Sequence, residues 1–387
     1  MYYGIKCLYD DLMKQIDEEF APSKQATEKL TDVYLRIGET KRAGRVNDCA
    51  TWLDFTYSDD DMCRLAHANF CRDTLCPQCA KRKSIKLYTQ VKSCVEHLQK
   101  DGYRFLFTTL TIRNCSGDDL AATCKHLYNS YIRLMDLDRM GFVCGAFRAL
   151  EITHDNEEFI TRDMYFGNSK RHMKPKVKYY RERGLKIGDK NPNFDMFHPH
   201  LHIIWVVKES YFHNSPDWID NKAPKLELVK LWQKALNVDY EPNADIRACS
   251  SKDIKENILG INTIDLSSAV AEVAKYAVKS ADYLNGSDEV NDRTVKALLS
   301  AIRGRRMFEF YGVFRKVRQE LKLDDIENGD LVHVETEQED GKPVVLMHVY
   351  FAWNKKKRQY IHIGIKEEVP EDSTAPPEPV PPDRNIA

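Results

Sequence analysis

The chain has 387 residues, is 42% hydrophobic and 30% charged, and carries a net charge of −1. That length suits one large domain or two ordinary ones, and the composition is that of a globular protein rather than a fibrous or wholly disordered one. No apolar run is long enough to span a bilayer, and Met1 to Phe20 mixes acids and lysines with apolar residues. This predicts no transmembrane helix, no signal peptide and a cytoplasmic location.

A near-neutral chain has no global field to draw it to nucleic acid, so any such binding must come from local patches. Four basic clusters qualify: Lys81-Arg82-Lys83, Lys170 to Lys186, Arg303 to Arg318, and Lys355-Lys356-Lys357-Arg358. The 11 cysteines are odd in number and unevenly spaced, which in a reducing compartment reads as metal ligands plus buried thiols.

Taken in order, residues 1–45 read as helical, with apolar positions at helical spacing between Lys24 and Ile37 and a stop at Gly38. Residues 46–83 hold Cys71 and the knuckle Cys76-Pro77-Gln78-Cys79, a tight turn that brings thiolates onto one ion. Four N or S donors make a structural zinc site, and Cys49, Cys63 and His67 are all open as the fourth. A redox Cys-x-x-Cys is the rival reading, but no thioredoxin-like βαβ pattern surrounds it. The basic run that follows is placed to track a phosphate backbone.

A helix is predicted over Ser84 to Lys100, a strand over Arg104 to Asn114, and a helix with the stripe Leu120, Cys124, Leu127, Tyr131 and Leu134. Another strand, Phe142 to Thr153, contains the acid Glu151. The polar, basic stretch from His154 to Met196 reads as an elaborated hairpin, able to contact DNA through charge and aromatic stacking. Phe197 to Val207 is an apolar strand with His198, His200 and His202 on one face and Leu201, Ile203, Trp205 and Val207 on the other. Imidazoles so placed can grip a divalent ion, and Glu151 supplies a third ligand if its strand pairs beside this one.

A short helix follows at Pro224 to Leu236, then a strand at Asp245 to Ala248. Asp265 to Leu284 reads as one Ala-rich helix whose i, i+4 and i+7 positions Glu272, Tyr276 and Lys279 form a polar stripe that continues to Tyr283. Helices and loops continue to Leu323. A small β-meander is expected from Leu331 to Glu335, Val344 to Trp353 and Gln359 to Ile365, and the proline-rich acidic end from Glu367 reads as disordered.

Thr108 to Asn114 (TTLTIRN), His198-Pro199-His200-Leu201-His202 and Glu272-x3-Tyr276-x2-Lys279 stand in the order of three motifs that this chain shares with a known family. It resembles the replication initiators of small Gram-positive plasmids that replicate by a rolling circle, within the HUH endonucleases. The cysteine knuckle is similar to theirs, and Cys49 with Leu53-Asp54-Phe55 matches the element that precedes it. The resemblance therefore selects Cys49, with Cys71, Cys76 and Cys79, as the Zn²⁺ ligands. It covers residues 46–320.

The resemblance implies an α+β fold: a four- or five-stranded antiparallel sheet with packed helices, ferredoxin- or RRM-like, preceded by the zinc knuckle. The expected layout is a helical segment 1–45, a knuckle region 46–83, a nicking and joining domain 84–320, a β-rich segment 321–366 and a tail 367–387. His200, His202 and Glu151 would hold Mn²⁺ or Mg²⁺. Tyr276 would cut one strand of a plasmid origin, single-stranded at the nick, through a 5′-phosphotyrosine. Lys279 would assist, and Glu272 would activate water at termination. Host helicase and polymerase would follow, and a homodimer is compatible with the pattern. Rival readings within the superfamily are a transposase, a relaxase or a phage initiator. A non-catalytic zinc-knuckle nucleic-acid-binding protein would leave the histidine strand and the Glu272–Tyr276–Lys279 stripe unused.

Overall fold

The computed structural model describes residues 12–60, 62–169, 176–214, 224–250, 263–275, 278–334 and 344–368. The chain forms two units: a smaller one from Met1–Ala21, Ala50–Asn69 and Thr336–Ala387, and a larger one from Pro22–Cys49 and Phe70–Glu335. Strands β1 (Trp52–Ser58) and β2 (Cys63–Ala68) belong to the smaller unit. The larger unit holds β3 (Tyr103–Thr111), β4 (Val143–Asp155), β5 (Met196–Lys208), β6 (Ala244–Ser250), β7 (Thr263–Asp265) and β8 (Phe308–Tyr311). The chain then returns to the smaller unit with β9 (Val345–Asn354) and β10 (Gln359–Glu367).

In the larger unit the order is β7-β6-β3-β5-β4-β8. All neighbours are antiparallel except the edge pair β6–β7. The expected antiparallel sheet is therefore present, with six strands in place of four or five and one parallel pair at its edge. The histidine strand β5 is central, and β3 and β4 flank it.

Both faces of β5 are buried, so the strand alternates between two cores rather than between core and water. Ile204 and Val206 join Phe105, Phe107, Phe147 and Ala149 in one cluster. Helices Pro77–Lys100 (Leu87, Val91, Val95, Leu98), Leu266–Val273 (Ala269, Val270, Val273) and Gly312–Glu320 (Phe314, Val317) cover it. On the other face Trp205 is fully buried and its indole N–H donates to Tyr131 Oη at 3.3 Å, on helix Leu120–Met135. Trp232, from helix Pro224–Leu236, donates to the Thr111 carbonyl at 2.7 Å. Each such large apolar side chain contributes about 1.5–3 kcal/mol by leaving water, so this sandwich fixes the sheet's register.

The long helix Pro77–Lys100 starts where the sequence allows: Cys76 is extended as N-cap, Pro77 occupies the first turn, and Gly102 at φ 78° ends the run. In the smaller unit the order is β10-β9-β1-β2, all antiparallel. Leu53, Phe55, Val349, Phe351 and Tyr360 are buried there, and Phe20 packs edge-on to Phe55 at 5.7 Å.

Three local readings change. Asp265–Leu284 is not one helix: it stops at Val273, and a second, Ser280–Leu284, begins after an extended Lys279. Leu331–Val334 is not a strand, because the Asp330 carboxylate accepts from the Val332 and His333 amides and Arg82 takes the Leu331 and Val332 carbonyls. That same interaction buries Arg82, and Lys83 pairs with Glu327 at 2.6 Å, so two of the three charges after the knuckle serve the fold rather than a phosphate track. The expected tail lies outside the described residues from 369 onward.

Candidate active site

Strand register builds the first cluster. Glu151 on β4 sits directly opposite His200 on β5, and Thr109 on β3 directly opposite His202. Residues paired across an antiparallel sheet share a face, so these four side chains meet on the face that carries Ile204 and Val206. Farther along the strand that face is roofed by helix Leu266–Val273. Where the helix ends, the histidines replace the aliphatics.

Glu151 Oε2 lies 3.2 Å from His200 Nε2 and 2.9 Å from His202 Nε2. All three residues are buried, and their donor atoms lie within 4.8 Å of one another. The far side of each ring is held: His200 Nδ1 donates to the His198 carbonyl at 3.1 Å, and His202 Nδ1 hydrogen-bonds Thr109 Oγ1 at 3.2 Å. The carbonyl requires the proton on His200 Nδ1, and the Thr109 hydroxyl, which can donate or accept, orients the His202 ring, so both Nε2 atoms face Glu151. Burial opposes charge on Glu151, but the hydrogen bonds and charges of the two histidines outweigh it and hold the carboxyl well below its usual range. Two imidazoles and a carboxylate on one sheet face therefore suit a divalent ion. His198 shares the face but stands outside this set; burial first, then His200 and Lys176, push it down to about 4.

Glu272 and Lys279 reach the cluster by separate routes. Glu272 Oε1, in the last turn of helix Leu266–Val273, is 3.8 Å from His202 Nε2. The Glu272 carboxylate also pairs with Lys275. Lys279 Nζ, after the break, lies 3.4 Å from Glu151 Oε1 and is half exposed. The structure thus brings both stripe residues to the cluster, Glu272 to His202 and Lys279 to Glu151, without the continuous helix that was to align them. Tyr276 lies outside the described residues. Tyr283 is buried, its hydroxyl donating to the Leu75 carbonyl, which makes it a packing residue.

Sequence reasoning passed over the groups that set this loop in place. The His154 ring, on β4, spans the Asp282 carbonyl at 3.0 Å from Nδ1 and Asp195 Oδ1 at 3.0 Å from Nε2. Arg293 completes that chain to Asp195 at 2.7 Å. Asp282 itself is pushed up to about 6 by burial, against the opposing pull of Lys279. Thr109 belongs to the TTLTIRN motif, and only the strand register reveals its partner.

The second cluster is Cys49, Cys71, Cys76 and Cys79. Sγ–Sγ separations of 3.6 Å link Cys49 to Cys79, Cys71 to Cys79 and Cys76 to Cys49. Thiolates about 2.3 Å from one tetrahedral ion would stand about 3.8 Å apart, so the set fits one ion. Backbone amides of Cys71, Arg72 and Asp73 donate to Cys49, Cys79 and Cys71 Sγ, which orients the sulfurs toward one another. The buried Lys24 ammonium donates to the Asn47 and Cys49 carbonyls beside them. Cys63 and His67 belong to the other unit, where His67 pairs with Asp54 at 2.8 Å.

In the connection between β4 and β5, Tyr180 is fully buried and stacks on Tyr165 at 5.4 Å, within a small core of Ile160 and Met164. That tyrosine is therefore unavailable for base stacking. Lys174 and Pro175 lie outside the described residues. No helix among the described residues is long and apolar enough to cross a membrane.

Comparison with known proteins finds replication proteins. A sequence model of the family described as "Replication protein" matches residues 62–361. A "Protein rep" of Streptococcus pneumoniae serotype 2 is 29% identical, over 92% of this chain and 95% of its own length. A "Protein rep" of Lactiplantibacillus plantarum is 32% identical over 84% of this chain and 90% of its own. A "Replication protein" of Staphylococcus aureus is 24% identical over 68% and 92% respectively. No solved structure matches.

Proposed function

Given that the chain belongs to the replication-protein family of plasmid replication initiators, we propose that it nicks one strand of a plasmid double-strand origin with Tyr276 and rejoins it at termination. The observation that carries this reading is the convergence of Glu272 and Lys279, which flank Tyr276 in sequence, on the Glu151–His200–His202 cluster. A bound Mn²⁺ or Mg²⁺ would supply Lewis-acid polarisation of the scissile phosphate there.

The Tyr276 phenol attacks that phosphate, forming a bond from its Oη to phosphorus as the bond to the 3′ oxygen breaks. The phenolic proton leaves, and the departing oxygen takes one up, so a free 3′ hydroxyl and a 5′-phosphotyrosine result. A phenol with a pKa near 10 is a weak nucleophile at neutral pH, and the Lys279 ammonium stabilises the phenolate and the phosphate oxygens. The phosphotyrosine conserves the energy of the cleaved bond, so attack by a 3′ hydroxyl reverses the step without ATP. Glu272 acts as general base toward water, which ends the cycle with a hydrolytic cut. The 3′ hydroxyl is the end a host polymerase extends, with a host helicase opening the duplex.

The four thiolates suit Zn²⁺, which would tie Cys49 to the start of helix Pro77–Lys100 and thereby brace the sheet beneath the site. The test is a nicking assay on supercoiled origin plasmid with Mn²⁺. Wild-type protein should give open circles with protein attached, and Tyr276→Phe should give neither. Persistent adduct in Tyr276→Phe would overturn the assignment, and no nicking by wild type would favour a protein that only binds DNA.

A further inference from the structure

The smaller unit carries a feature that the nicking reading does not use. Its four-stranded sheet buries one face with Leu53, Phe55 and Phe351. On the opposite face Trp52, Asp54, His67, His348 and Tyr350 come together, because Asp54 pairs across β1–β2 with His67 and across β1–β9 with Tyr350. Trp52 and Tyr350 lie in near-parallel planes, 6.0 Å between centroids at 16°. Tyr350 and His348 repeat that spacing, 6.0 Å at 17°. Three rings thus form a row across neighbouring strands, and Trp52 is 36% exposed.

The row is braced from below. Asp54 is buried, with one carboxylate oxygen accepting from His67 Nδ1 and the other from His348 Nδ1, each at 2.8 Å. Both imidazoles are therefore held at fixed angles, and the His67 side chain is 67% exposed. A buried carboxylate that orients one exposed ring, His67, and one mostly covered ring, His348, implies that the orientation matters.

Charge lies at one end of the row. Trp52 is opposite Ala352, three residues before the β9–β10 turn, whose exposed residues are Lys355, Lys356, Lys357 and Arg358. The three lysines have no carboxylate partner among the described residues. Three residues of strand span about 10 Å, which the long lysine side chains can bridge to a phosphate beside a stacked base.

We propose that this face binds single-stranded DNA, with bases stacking on Trp52, Tyr350 and His348 and the phosphate chain running to Lys355–Arg358. Aromatic rings give sequence-tolerant stacking and a basic turn gives salt-dependent attraction, the pairing that single-strand binders use. The surface would hold DNA that replication leaves unpaired. It stands independently of the nicking reading.

The test is anisotropy of fluorescein-labelled oligo(dT) of about 20 nucleotides with the full chain, in a Tyr276→Phe background so that covalent capture adds nothing. Trp52→Ala and Tyr350→Ala should each weaken binding about fivefold or more, while Trp52→Phe stays near the parent. Replacing Lys355, Lys356 and Lys357 with Ala should reduce the slope of log affinity against log salt by about 0.7 for each phosphate left without its lysine. Parent-like affinity in the folded Tyr350→Ala and lysine variants would overturn the proposal. So would loss of self-association in light scattering with oligo binding unchanged, which would mark the face as an interface between copies.

Discussion

Thr109→Val isolates the support of the proposed metal cluster from the cluster itself. The Thr109 hydroxyl hydrogen-bonds His202 Nδ1 at 3.2 Å and holds the ring angle that presents Nε2 to Glu151. Valine fills nearly the same volume and suits a strand, so the fold loses one hydrogen bond, about 1 kcal/mol. Removing such an outer hydrogen bond weakens metal binding about 10- to 100-fold, or about 1.4–2.7 kcal/mol. The assay is nicking of supercoiled origin plasmid across a Mn²⁺ series, with a parallel Mn²⁺ titration by electron paramagnetic resonance. Half-saturating Mn²⁺ should rise by that factor while the rate at saturation returns close to wild type. An unchanged half-saturation would refute the role given to Thr109. A saturating rate that stays low would show that the hydroxyl acts in the chemistry rather than on the ligand.

Three further outcomes are expected. One zinc per chain should be released when the thiols are titrated with a mercurial, with a large fall in melting temperature, because structural zinc contributes on the order of 10 kcal/mol to folding; release of none would refute the site. Tyr283→Phe should cost about 1 kcal/mol of stability by removing the bond to the Leu75 carbonyl, yet keep the covalent adduct. Asp282 has a folded pKa raised from 3.8 to about 6, so its ionisation opposes folding: the cost is absent below about pH 4, grows between, and is complete above about pH 6. Asp282→Asn should therefore melt higher than wild type at pH 7.5, by at most about 3 kcal/mol, with the gap closing by pH 4; a gap independent of pH would contradict this.

The histidine strand was legible because period-two alternation and one acid on a neighbouring strand leave few ways to assemble three candidate ligands. His200, His202 and Glu151 needed only the β4–β5 register, and that register holds. The break after Val273 was not legible. Ala-rich sequence favours a continuous helix, but propensity is a weak prior, and the extended Lys279 that ends the break sets its ammonium against Glu151. Half of the smaller sheet was legible, since Val344–Trp353 and Gln359–Ile365 match β9 and β10, but β1 and β2 were missed for a different reason. Leu53 and Phe55 alternate as a strand should, yet their partner Phe351 is roughly 300 residues away in sequence, and pairing over that distance leaves no local trace. The cysteines, by contrast, announced themselves through the Cys-Pro-x-Cys turn. Choosing Cys49 over Cys63 and His67 rested on the family resemblance, and the four-sulfur cluster has the same membership.

The most direct measurement is the site of covalent attachment. Protein nicked onto a supercoiled origin plasmid with Mn²⁺ would be digested with nuclease and protease and the peptides sequenced by mass spectrometry. A nucleotide phosphate on the peptide at Tyr276 is the predicted result. Attachment at Tyr283 or another residue, or nicks with no attached peptide, would contradict it.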